Sequence, residues 1–216
     1  MHAGRRKETG KMKKDEILSS VKDRDLIKKR RDQMIKGAMT LFKEKGFHQT
    51  TTREIAKESG FSIGTLYEYI RKKEDVLFLV CDGIYEELGE RLNSAMQMEN
   101  PSLESLEEIM TSYYKLMDEM QEEILVLYQE VKGLNRETRK YVLQKEKDTV
   151  AMLERVIMAC FPEQLSAKEV AIAANNIFVQ GHMWAFRRWI LQKQYTIEEY
   201  AALQIELNLY GIAEKA

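Results

Sequence analysis

Apolar residues recur along this chain three and four positions apart, in one segment after another, and no stretch alternates apolar and polar residues as a strand would. The first segment runs from roughly Asp25 to Lys45. There Ile35, Ala38, Met39 and Phe42 follow helical spacing, and Gly46 supplies the stop. Thr51, with Glu54 three residues on, has the form of a capping box, so a second helix is predicted from there to Ser59, with Ile55 and Ala56 inward. Gly60 permits a turn, Ser62 caps a third helix, and Leu66 and Ile70 supply its buried face. Three short helices over one small core make a compact head.

From Glu74 the segments lengthen. Val76, Leu77, Val80, Ile84, Leu88 and Leu92 trace one stripe that ends near Asn100-Pro101. Ser102 opens the next helix, with Leu103, Leu106, Ile109, Met110 and Tyr113 as its apolar face. Further helices are predicted from about Met120 to Lys132 and from about Arg136 to Cys160. Two more follow, from Ser166 to about Gln192 and from Thr196 to Tyr210, each opening on a capping-box pair with Glu169 or Glu199. The expected fold is all-α with about nine helices. With only two prolines and eleven glycines in 216 residues, composition agrees.

Charge divides the chain where the pattern does. Residues 1–80 hold 20 Lys/Arg against 12 Asp/Glu, net +8, and the remainder holds 14 against 23, net −9. This suggests a polyanion-binding head on a body that stays off the polyanion, although solvated helix faces also carry such runs. Residues 1–24 are polar, basic and without clear periodicity, and read as a flexible arm. Such an arm can lie in a DNA minor groove or simply add solubilising charge. No apolar run approaches the ~20 residues needed to cross a bilayer, and no apolar stretch follows the basic N-terminus as in a secretory signal. Cys81 and Cys160 are too few and too isolated for a disulfide framework, which fits a reducing cytoplasm.

Helices joined by the tight Ser59-Gly60-Phe61-Ser62 corner form a helix-turn-helix, whose second helix is shaped to enter the major groove of double-stranded DNA. Its leading end, Ser62, Ile63, Gly64 and Thr65, is small enough for backbone to approach bases. Gly64 costs helix stability, by ~1 kcal/mol relative to Ala, which close approach explains better than folding does. Tyr67 and Tyr69 can donate hydroxyl hydrogen bonds to phosphates, with plain core packing the alternative for Tyr67. Thr51, Thr52 and Arg53 offer hydroxyls, a cation and free amides, while Lys72 and Lys73 add charge at the other flank. Arg53 could equally form a surface ion pair. No catalytic or metal constellation is present: His2, His48 and His182 lie far apart, and neither cysteine has a partner at ligand spacing. An enzyme is not expected, nor a cofactor.

The order of features in FKEKGFHQTTTREIAKESGFSIGTLYEYIRKKEDVL, residues 42–77, preceded by RDQMIKGAMTL, resembles the TetR/AcrR family of bacterial transcriptional regulators. The resemblance implies a helix-turn-helix domain over 25–73 and a ligand-binding and dimerisation domain over 74–216. It also implies a homodimer that represses and leaves DNA when a small ligand fills the second domain. Carried over by position, Thr51, Thr52, Tyr67, Tyr69 and Lys73 are implied phosphate contacts, and Ser62, Ile63, Gly64 and Thr65 the base-reading end. Ile63 stands where many relatives carry Lys or Arg, so a methyl contact to thymine replaces a guanine-reading cation. Ile70 replaces a more usual Phe.

In the body, the 166–192 segment is apolar around most of its circumference (Ile172, Ile177, Phe178, Val179, Met183, Trp184, Phe186, Trp189, Ile190) and needs two burial partners. With Tyr200, Leu203, Leu207 and Tyr210 of the last helix it is expected to form a four-helix dimer interface. Tyr113, Tyr114, Met117, Tyr128, Met152, Phe178 and His182 are candidates for an apolar ligand cavity, ordinary core being the alternative for each. Family analogy puts a fatty-acyl or CoA-thioester effector ahead of a lipophilic drug or dye. A competing reading is a DNA-binding adaptor whose body recruits a protein partner.

Overall fold

A computed structural model describes residues 24–95 and 100–213, so the expected arm lies outside the described residues except for Arg24. Among those residues there are ten α-helices and no strand. They are α1 (Arg24–Gln49), α2 (Thr52–Glu58), α3 (Ile63–Tyr69), α4 (Lys73–Ala95), α5 (Leu103–Glu119), α6 (Gln121–Glu130), α7 (Arg136–Cys160), α8 (Ala167–Phe186), α9 (Arg188–Leu191) and α10 (Ile197–Ala213). A 3-10 turn, Val131–Gly133, follows α6.

The helix starts follow the chemistry that marks them. Thr51 and Ser166 close reciprocal capping boxes with Glu54 and Glu169, and Ser102 closes one with Ser105. Gly46, at φ 78°, breaks the regular helix of α1 where a stop was expected, and Gly60, at φ 74°, makes the turn before α3. The expected helix to Gln192 is instead two. At Arg187 the backbone leaves helical geometry (φ −108°, ψ 22°) before α9 restarts. The WAFRRW stretch holds no Gly or Pro, so periodicity carries no sign of this break.

In the head, Met34, Ala38 and Phe42 of α1 pack with Ile55, Ala56, Leu66, Tyr69 and Ile70. Gly37 lets α1 close on the end of α2, because a Cβ there would lie 2.7 Å from Ser59 Oγ. The buried run Val76 to Cys81 carries α4 from the head into the body, where α5, α7, α8 and α10 pack around Met110, Tyr113, Met117, Leu153 and Ile177. Polar ties set the register. Trp184 Nε1 donates to Asp118 at 2.6 Å, Tyr113 donates to the Phe178 carbonyl at 2.7 Å, and Gln180 Oε1 accepts from both Tyr114 and Asn208. At Gly181 a Cβ would meet the Tyr113 ring at 2.5 Å, so α8 crosses α5 with its backbone against that ring.

Candidate functional site

The start of α2 and the face of α3 form one surface. Thr51 accepts from the Glu54 amide, and the Glu54 carboxylate accepts from the Thr51 amide at 2.9 Å and hydroxyl at 2.8 Å. Lys45, 2.6 Å away, together with Thr51 holds the Glu54 carboxyl down to about 2, so it stays ionised. Thr52 Oγ1 lies 3.2 Å from the Tyr67 hydroxyl, which brings two of the expected phosphate contacts together from different helices, with Tyr67 half exposed. Arg53 and Lys72 are exposed, as is Arg71, which the sequence reading passed over.

On α3, Ser62 spends its hydroxyl on the cap: it accepts from the Thr65 amide at 3.0 Å and pairs with the Thr65 hydroxyl at 3.0 Å. Ile63 is exposed and Thr65 is partly so. Gly64 has neither a left-handed backbone nor a crowded Cβ position, the nearest atom being Ser62 Oγ at 3.7 Å. Folding therefore does not require glycine at this exposed position.

Two of the expected phosphate contacts, Tyr69 and Lys73, make contacts within the head. Tyr69 is 2% exposed, its ring packed in the head core. Lys73 folds back instead. Its ammonium donates to the carbonyls of Phe47 (3.0 Å), His48 (3.3 Å) and Thr50 (3.0 Å) and lies 4.3 Å over the Phe47 ring. A cation at the start of α4 thus bridges three carbonyls at the end of α1, one of which, that of Phe47, also accepts from the Thr50 amide at 3.2 Å. Lys73→Met, which keeps the stem over Phe47, is expected to destabilise the fold by about 1–3 kcal/mol in urea titration. The salt slope of DNA binding is expected to stay the same, whereas loss of a phosphate contact would lower it by about 0.9.

In the body, five of the seven expected cavity residues, Tyr113, Tyr114, Met117, Phe178 and His182, are buried together around Gly181. Tyr128 reaches the cluster from a more exposed position, its hydroxyl 3.2 Å from His182 Nδ1, while half-buried Met152 packs against the same core from α7. Phe178 stands 4.2 Å from the His182 ring, edge to face. Burial holds His182 down to about 4 and pushes Tyr128 up to about 12, so both are neutral near pH 7. Where the Tyr128 phenol donates to Nδ1, the imidazole proton stands on Nε2. That buried nitrogen has no hydrogen-bond partner among the described residues.

Residues 34–80 match the family model described as "Bacterial regulatory proteins, tetR family", and residues 99–203 match that described as "Tetracyclin repressor-like, C-terminal domain". The chain is 26% identical over 190 residues to the HTH-type transcriptional regulator HbdR of Aromatoleum sp. (strain CIB), covering 86% of this chain and 82% of that one. It is 25% identical over 186 residues to the fatty acid metabolism regulator protein of Bacillus subtilis (strain 168), covering 85% and 95%. Its fold superposes with a TM-score of 0.68 at 21% identity on AibR, solved in complex with isovaleryl coenzyme A and operator DNA, covering 82% and 97% of the two chains.

Proposed function

The chain belongs to the TetR family of bacterial transcriptional regulators, DNA-binding factors and not enzymes, and from this premise we propose a dimeric repressor released from a pseudo-palindromic operator by an acyl effector. The observation that carries the DNA-reading part is the open face of α3, where an unhindered Gly64 lies beside exposed Ile63 and the Thr52–Tyr67 hydroxyl pair. Ile63, Gly64 and Thr65 read base edges there, while Thr51, Thr52, Arg53, Tyr67 and Lys72 grip phosphate. Ser62 contributes as the cap that fixes the helix. The head over 25–73 and the body over 74–216 are the two working units, acting in the cytoplasm where the DNA is.

Dimerisation is supported by the apolar side chains that α8 and α10 leave in solvent. Ile172 is 65% exposed and Leu207 73%, with Val179 and Leu203 about half exposed beside them. These residues pair at seven- and four-residue spacings, each pair on one helix face, as a four-helix interface between two copies requires.

The effector is read from the interior cluster, from the similarity to a fatty acid metabolism regulator protein and from the shared fold of AibR, solved with isovaleryl coenzyme A. A buried N–H without an acceptor among the described residues, ringed by Phe178, Phe186 and Tyr128, suits a neutral carbonyl group, such as the thioester carbonyl of an acyl thioester. Calorimetry with a panel of acyl-CoA thioesters, including isovaleryl-CoA, is expected to find one that binds the body and weakens DNA binding by the same factor that DNA weakens it. His182→Phe is expected to lower that affinity about tenfold. A panel in which no thioester changes DNA affinity, together with a protein partner that does, would favour the adaptor.

A further inference from the structure

Glu130, the last residue of α6, performs none of the roles assigned above, yet it is nearly buried and reaches across to the head. Its Oε1 accepts the Phe47 amide at 3.0 Å, across 83 positions of sequence. The pairing has a local cause. The Gly46 break removes Phe47 from the regular helical ladder, and a buried amide needs an acceptor from somewhere. Gly46 also makes room for it, since a Cβ there would sit 3.1 Å from Glu130 Oε1. Lys73 holds the carbonyls of the same loop from the side of α4, and the Phe47 ring fills the space between, edge-on to Phe42. After Glu130 the chain turns under that ring, so that a Cβ on Gly133 would lie 3.4 Å from it. The loop so gripped leads in four residues from Phe47 to Thr51, where the DNA-facing start of α2 begins.

The same last turn of α6 carries Tyr128, whose hydroxyl meets His182 and whose ring lies 4.4 Å from Phe186. Two residues apart, one side chain meets the interior cluster and the other holds the head.

We propose that Glu130 is a positioning residue for DNA binding: its carboxylate fixes the α1–α2 loop and, through it, the start of α2. This rests on the DNA-regulator reading. Removal of the carboxylate leaves the Phe47 amide without its acceptor and lets the loop relax, so Thr51 and Thr52 lose their setting relative to α3.

The test uses the full chain and a DNA fragment recovered from random sequence by selection with the wild type. Glu130→Ala is expected to lower affinity for that fragment about tenfold or more. Hydrogen exchange at the Phe47 amide is expected to speed up while the sedimentation of the protein stays the same. Glu130→Gln keeps an acceptor oxygen at the same reach and is expected to restore both values, which general destabilisation would not do. In the wild type, bound DNA is expected to slow exchange at Phe47, a measurement that stands even if Glu130→Ala does not fold. Equal affinity of Glu130→Ala and wild type, or a Phe47 amide indifferent to DNA, overturns the assignment of Glu130 alone. A wild type that selects no DNA overturns the regulator reading and this inference together.

Discussion

Gly64→Leu is expected to give a protein that folds at least as well as the parent and no longer recognises its operator. Leucine is a strong helix former where glycine is among the weakest, so the exchange adds up to about 1 kcal/mol to α3. For a chain of this size that raises the melting temperature by about 2–4 °C. A Cβ at this exposed position meets no clash among the described residues, the nearest atom outside its own helix backbone and chain neighbours being Ser62 Oγ at 3.7 Å. Against DNA the same side chain stands between the α3 backbone and the base edges. Losing that approach removes the specific contacts together with the phosphate contacts they align, a fall of about a hundredfold or more. Thermal melts and fluorescence anisotropy on the selected operator separate the two effects. A lower melting temperature would make Gly64 a packing residue, and retained operator affinity would remove α3 from the groove.

The second large effect lies at the other end of the molecule. Ile172→Glu combined with Leu207→Glu places two carboxylates where the isolated chain already exposes most of each side chain, so the monomer should fold. In the proposed dimer those carboxylates enter an apolar four-helix interface without partners, at several kcal/mol apiece. Sedimentation should show a monomer at micromolar concentration. Operator affinity should fall by about a hundredfold or more, since one head engages one half-site without the added effective concentration of its twin. A variant that stays dimeric would place the interface elsewhere.

Much of this architecture is legible in the sequence because its signals are local. Thr51 with Glu54, Ser166 with Glu169 and Thr196 with Glu199 mark helix starts by chemistry confined to one turn, and each pair is hydrogen-bonded as that chemistry requires. Gly46 and Gly60 mark ends and turns because only glycine takes positive φ cheaply. The direction of a side chain on a helix edge is a different matter. Lys73 and Tyr69 carry the right chemistry for phosphate, and nothing in their spacing shows that the one also meets carbonyls of the α1–α2 loop or that the other packs in the head core. Sequence spacing also shows that α8 is apolar on several sides without saying which side faces solvent. Ile172 and Val179 prove to be outside, and Ile177, Phe178 and Trp184 inside. The Glu130–Phe47 bond is the extreme case: Gly46 marks where an amide comes free, but nothing local names a partner 83 positions away.

The claim that joins head and body is that two copies of the α2–α3 surface are held apart at a fixed distance to read DNA. Selection of bound fragments from random DNA by the full chain, followed by footprinting, measures it directly. The account predicts an inverted repeat whose half-sites are centred about 34–36 Å apart, one turn of the double helix or a multiple of it. A single unrepeated site, or half-sites at no fixed separation, would contradict it.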